Sequence, residues 1–158
     1  MATYNRTVTG GGTVGHPSNA AVPYVVTSPV WDTADGGTGG DVVQLIDVPA
    51  DTMIVAGCLE VLEARGNGQI TVDVGFTGGD VDCFIDGAVV AAGFTPFLEA
   101  AVGASGSNAR MVTSADTIDA LILDAGSSGE SALRFRIHVC MVDVSVNPVE
   151  SATVSTGT

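Results

Sequence analysis

Gln69–Gly87 reads QITVDVGFTGGDVDCFIDG, and this stretch decides the class of fold. In its first half Ile70, Val72 and Val74 alternate with Thr71 and Asp73. That period of two is the signature of a strand with one face on a core and the other in water. Its second half leaves the strand at Gly75, passes Gly78 and Gly79, and enters an acidic segment holding Asp80, Asp82 and Asp86. The same grammar of strand, glycine and aspartate runs through the rest of the chain, with almost no helical period. An all-β, antiparallel β-sandwich follows, with a jelly-roll-like arrangement as the first choice.

Working outward, Met53–Glu63 (MIVAGCLEVLE) precedes this stretch and is separated from it by Ala64–Gly68, which carries an Asn-Gly pair. Gly57 and the Val/Ile content favour a strand over a helix, and Asn-Gly is a strong hairpin signal. The two flanking strands are therefore expected to pair. One face of the first would carry Met53, Val55, Gly57, Leu59 and Val61; the other would carry Ile54, Ala56, Cys58, Glu60 and Leu62. Upstream, DVVQLIDV from Asp41 reads as a strand, and Pro49–Thr52 as a turn in which proline presets φ. Downstream, Ala88–Ala101 reads either as short strands broken at Gly93 and Pro96 or as a brief helical turn. Thr117–Asp124 is another strand. The last, Leu133–Val144, alternates throughout: Leu133, Phe135, Ile137, Val139 and Met141 face in, and Arg134, Arg136 and His138 face out.

Residues 1–40 are expected to form a flexible or extended N-terminal arm, 41–146 the sandwich, and 147–158 a Ser/Thr-rich tail. GGGTVG at 10–15 matches a dinucleotide-binding fingerprint, but His16-Pro17 stands where the helix should begin, so a flexible arm is the better reading. Pro23 and Pro29 bar Ala20–Trp31 from a central strand, leaving an edge strand or an arm laid along a surface. Tyr24 and Trp31 would then anchor the arm in a partner's groove, or else pack on the protein's own sandwich.

Charge limits the partners. The five basic residues are all Arg, against 18 acidic residues, for a net charge of −13. Such a surface repels phosphate, which argues against nucleic acid and against anionic membranes. The N-terminus lacks a secretory pattern, no run is long and apolar enough for a spanning helix, and a soluble protein made in the cytoplasm is expected. Cys58, Cys83 and Cys140 lack CxxC spacing and read as free thiols, although one pair could bridge in an oxidising exterior.

Catalytic signals are weak. The histidines are His16 and His138 alone, and no GxSxG occurs; GSSGE at 126–130 lacks its last glycine. The reading is therefore no enzyme and no cofactor. Asp80, Asp82 and Asp86 are weak Ca²⁺ candidates, since oxygen ligands on a glycine-rich loop suit that ion. Turn capping is the plainer use of these aspartates. The Arg134, Arg136 and His138 stripe could bind an anion or an acidic neighbour across a subunit interface, or simply pair with acids on the next strand.

DVVQLIDVPADTMIVAGCLEVLEARGNGQITVDVGFTGGDVDCFIDG, SADTIDALI and the final strand ending in MVDV together resemble small head proteins of tailed bacteriophages. These are the proteins, often encoded beside the major capsid protein, that decorate or cement the shell. The resemblance spans Asp41–Val144 and rests on a VPA-D/G-T turn, a TVDVG strand end, a D-x-F-I-D-G segment and an ADTID strand start. It implies a non-enzymatic virion component on the outer surface of the capsid. Such a component binds the major capsid protein lattice as a homo-oligomer, commonly a trimer, with Tyr24 and Trp31 as capsid contacts. The alternative is a jelly-roll carbohydrate- or receptor-binding module of a head or tail fibre, for which aromatic residues are scarce.

Overall fold

Alternation of apolar residues on both sides of a shared core builds the fold. The computed structural model describes residues 3–9, 23–32, 39–64, 71–77, 79–89, 92–97, 110–123 and 133–145. Among them are eleven strands and no helix: β1 Thr3–Thr9, β2 Pro23–Thr27, β3 Trp31–Asp32, β4 Val42–Val48, β5 Thr52–Glu63, β6 Thr71–Phe76, β7 Ile85–Val89, β8 Gly93–Phe97, β9 Arg110–Val112, β10 Asp116–Ile122 and β11 Arg134–Asp143. No helix is long and apolar enough to cross a membrane.

Two sheets face each other. Sheet A has the order β1-β4-β10-β6-β7; sheet B has the order β2-β11-β5-β8, with β3 also on β11 and β9 also on β5. All the pairings are antiparallel except β1 with β4, which is parallel. From β4 onward the chain passes repeatedly from one sheet to the other, the habit of a jelly-roll-like sandwich. Val43, Leu45, Ile46, Val72, Val74, Ile118 and Ile122 from sheet A meet Ile54, Leu59, Val61, Phe135, Ile137, Val139 and Met141 from sheet B, all buried. β11 keeps its predicted alternation: Phe135, Ile137, Val139 and Met141 are fully buried, and so is Leu133 just before it.

Three expectations are corrected. First, β5 and β6 do not form a hairpin: they lie in different sheets. Both edges of β5 are already occupied, one by β11 and the other by β8 and β9, so β6 finds its partners in β10 and β7. The Asn67-Gly68 pair itself lies outside the described residues.

Second, the two faces of β5 are not continuous. Opposite Cys140 and Met141 the register moves from Ala56 to Ile54, leaving Val55 as the extra residue of a β-bulge. The bulge reverses parity, so Ile54 joins Leu59 and Val61 in the core.

Third, the described part of residues 1–40 is not an arm. β1 pairs with β4, β2 lies at the edge of sheet B against β11, and β3 pairs with Arg134 and Phe135. The prolines do keep β2 at an edge, as expected. The segment 10–22 and the tail 147–158 lie outside the described residues. The expected breaks at Gly93 and Pro96 do not interrupt the chain: β8 begins at Gly93 and runs through Pro96, again at an edge where a missing N–H costs no pairing.

An aromatic row ties the sheets at one end. Phe76 of β6 meets Phe84 edge-on at 5.0 Å, Phe84 stacks on Phe97 of β8 at 5.1 Å, and the Arg110 guanidinium lies 6.0 Å from the Phe76 and Phe84 rings. Phe97 lies where a side chain on Gly57 would go, which accounts for a glycine inside the longest strand. Gly57→Val is therefore expected to lower unfolding free energy by about 1–3 kcal/mol through overpacking. Urea denaturation measures this, and an unchanged midpoint would contradict the packing.

Candidate functional site: the outer faces of the two sheets

On sheet B the exposed-side residues of β11 meet acids from neighbouring strands. Glu60 of β5 is in direct register with Arg136. Its Oε2 accepts from Arg136 Nε and lies 2.9 Å from His138 Nε2. His138 Nδ1 in turn lies 2.9 Å from Thr27 Oγ1 on β2. Arg136 first, and then His138, holds the Glu60 carboxyl below its ordinary range. Arg134 Nε lies 3.5 Å from Asp32 Oδ2, and Glu63 faces Arg134 in register. The stripe therefore makes cross-strand pairs, the plainer of the uses open to it.

Sheet A presents the opposite character. Asp73 was expected on a wet face, yet it is buried. Between Val72 and Val74 the pairing with β7 is irregular, and there Asp73 Oδ1 accepts the Gly87 N–H at 2.6 Å. Gly87 has φ +61°, so the glycine supplies a left-handed conformation at the bulge.

Asp119 on β10 is 5% exposed and neither of its carboxylate oxygens has a hydrogen-bond partner. Its register partners are Gln44 and Gly75, and a side chain on Gly75 would run into the Asp80–Val81 backbone. The loop after β6 therefore lies over Asp119. Burial pushes the Asp119 carboxyl up to about 7; Thr117 opposes the rise and the charge of Asp116 adds to it. Beside it, a surface groove is lined by Gln44, Asp47, Pro49, Thr77, Asp116 and Thr117. Gln44 Nε2 points toward the Thr77 and Thr117 hydroxyls, which lie 3.1 Å apart. Reading TIDALI as a strand missed Asp119, although an acid inside an Ile118–Ile122 run was the available signal.

The structure places the remaining candidates as follows. Trp31 is 1% exposed and Tyr24 packs against the core, so both anchor the chain's own sandwich rather than a partner's groove. Inward alternation with Val26 on β2, and pairing of β3 with β11, turn these rings inside. Burial raises the Tyr24 phenol, with Asp143 adding to the rise and Thr52 opposing it. Asp80 pairs with Arg110 at 3.9 Å, and the hydrogen bond that the protonated Asp82 carboxyl donates to Asp80 raises the Asp82 carboxyl. Asp80 and Asp82 thus come together, but no group of three potential ligands capable of holding a metal ion exists among the described residues. The three cysteines are free and half-buried, and burial pushes the Cys83 thiol up to about 11. His16, the glycine fingerprint at 10–15 and GSSGE at 126–130 lie outside the described residues.

With this geometry, the fold has solved counterparts. The cyanophage Pam1 capsid asymmetric unit contains a chain similar at TM-score 0.59 and 14% identity, covering 84% of this chain and 94% of that one. The acidic stable capsid of the Helicobacter pylori bacteriophage KHP30 contains another, at 0.56 and 19%, over 77% and 88%. The capsid of Ralstonia phage GP4 contains a third, at 0.55 and 19%, over 79% and 87%. At these identities the likeness is one of fold. No family model matches the chain, and no curated protein matches it.

The raised Asp119 pKa fixes a sign. A carboxyl at about 7 when folded and near 3.8 when unfolded binds its proton more tightly in the native state. Its contribution is fully present below the unfolded value and is lost as pH rises through 7. At about 1.4 kcal/mol per pH unit, the penalty of ionisation reaches up to about 4 kcal/mol at alkaline pH. Wild type is expected to melt at a lower temperature at pH 8 than at pH 5, and Asp119→Asn to remove most of that fall. Equal pH dependence in both proteins would contradict an unpaired buried carboxyl.

Proposed function

We propose that this chain is a structural virion protein that decorates and stabilises a bacteriophage shell by binding the major capsid protein lattice. The observation that carries the reading is a common fold: three chains solved in phage capsids are each matched over at least 87% of their length. The resemblance of Asp41–Val144 to shell-decorating head proteins supports the same role from the sequence. In this reading the chain acts without catalysis or cofactor, as a trimer on the outer surface of the virion.

The physical properties suit such a part. A sandwich tied by long strands and an aromatic row keeps its shape under load. Its acidic surface favours solubility and a partner surface of opposite sign. Capsid contact is reassigned from Tyr24 and Trp31 to the exposed faces, because the rings are engaged in the core. The carbohydrate-binding alternative needs exposed aromatic platforms. Phe94, about two-thirds exposed, is the one exposed aromatic among the described side chains.

Purified protein mixed with shells of the major capsid protein encoded beside it is expected to co-sediment saturably and to raise the temperature at which the shells rupture. Absence of saturable co-sedimentation would contradict the proposal, and saturable binding on a glycan array would favour the alternative.

A further inference from the structure

The outer face of sheet B combines two properties that no other described surface shares. The first is exposed apolar area. Of the six large exposed hydrophobic residues among the described side chains, Val25, Leu62, Phe94 and Met111 belong to sheet B, and Val81 and Leu123 do not. Each of the four sits one step out of phase with a buried residue of its own strand: Val26, Val61, Phe97 and Val112. Alternation therefore turns them away from the core. Between the edges the same face carries Ala56, Cys58 and Pro96, with Pro96 beside Cys58 in register. Exposed apolar residues concentrated on one face mark a contact surface.

The second property is charge. The chain carries −13, yet on this face Arg136 and Glu60 satisfy each other, His138 joins them, and Arg134 is held by Asp32. Counting Glu63, acids exceed arginines here by one residue. Every Arg or His whose side chain is described belongs to a strand of sheet B. Sheet A carries Asp47 and Asp116 on its surface and Asp73 and Asp119 buried, with Arg6 on its edge strand β1.

We infer that the outer face of sheet B is where a second copy of this chain docks. Two molecules of high like charge repel wherever acids dominate, and approach at least cost where the charge is internally balanced. A basic partner would be drawn to sheet A instead. Size is adequate: the strands of sheet B, at about 4.8 Å by 3.4 Å per residue, cover roughly 600 Å². Side-chain relief brings this near the roughly 800 Å² per partner of a standard interface. The inference deepens the oligomeric reading above and rests on it for its biological setting.

The test is the mass of the full chain in solution, without shells, by sedimentation equilibrium. Wild type is expected at a multiple of 15.8 kDa. Phe94→Glu and Val25→Glu stand on opposite edge strands and are each about two-thirds exposed, so both are expected to keep the wild-type circular dichroism and melting. Each is expected to weaken self-association at least tenfold, whereas Val81→Glu, on the loop after β6, leaves it unchanged. A monomeric wild type, or folded Phe94→Glu and Val25→Glu proteins of wild-type mass, would overturn the inference. If a monomer still co-sediments with shells, this inference falls and the decorating role stands. If an oligomer sensitive to Phe94→Glu ignores shells, the decorating role falls and the self-docking face stands.

Discussion

The pairing of β11 with β5 is the constraint on which the rest depends. Ten residues of β11 run antiparallel to β5 and present Phe135, Ile137, Val139 and Met141 to the core. Each of these buried side chains contributes roughly 1.5–3 kcal/mol by leaving water. The same pairing places Arg136 and His138 over Glu60, so one register fixes both the interior and the charge balance of the exterior. It also fills one edge of β5, while β8 and β9 take the other, which forces the next strand across to the opposite sheet.

That coupling explains what could be read from the amino acids and what could not. Strand identity was legible wherever alternation was long, as in β11, and the Pro49–Thr52 turn was legible because it is local; Asp51 there takes φ 57°. Strand partners were not legible. Asn67-Gly68 signals a hairpin through local turn preference, but an edge already occupied outweighs such a preference. The bulge at Val55 was equally hidden, since a single unpaired residue leaves no mark in a pattern of Val, Ile and Ala.

The polar sites follow the same division. The outward stripe of Arg134, Arg136 and His138 was visible from alternation, but its acidic partners required the register. Asp73 was read as a member of a wet face, and Asp119 was passed over, because the covering elements come from elsewhere. Gly87 supplies a donor to Asp73, and Asp80–Val81 lies over the surface beside Gly75. Trp31 and Tyr24 were placed on an arm because proline-rich, glycine-flanked sequence resembles a linker, whereas burial of large rings stabilises even short edge strands.

Two faces of different character make the molecule directional: an acidic sheet A and a charge-balanced, apolar sheet B. In the proposed role, such polarity would let one face meet other copies and the other meet the shell. Reconstruction of the intact virion by electron cryo-microscopy tests this account most directly. It predicts density on the outer surface of the shell that accepts the two-sheet sandwich, seated on the major capsid protein. A complete shell with no such density, or the sandwich found only in the tail, would contradict it.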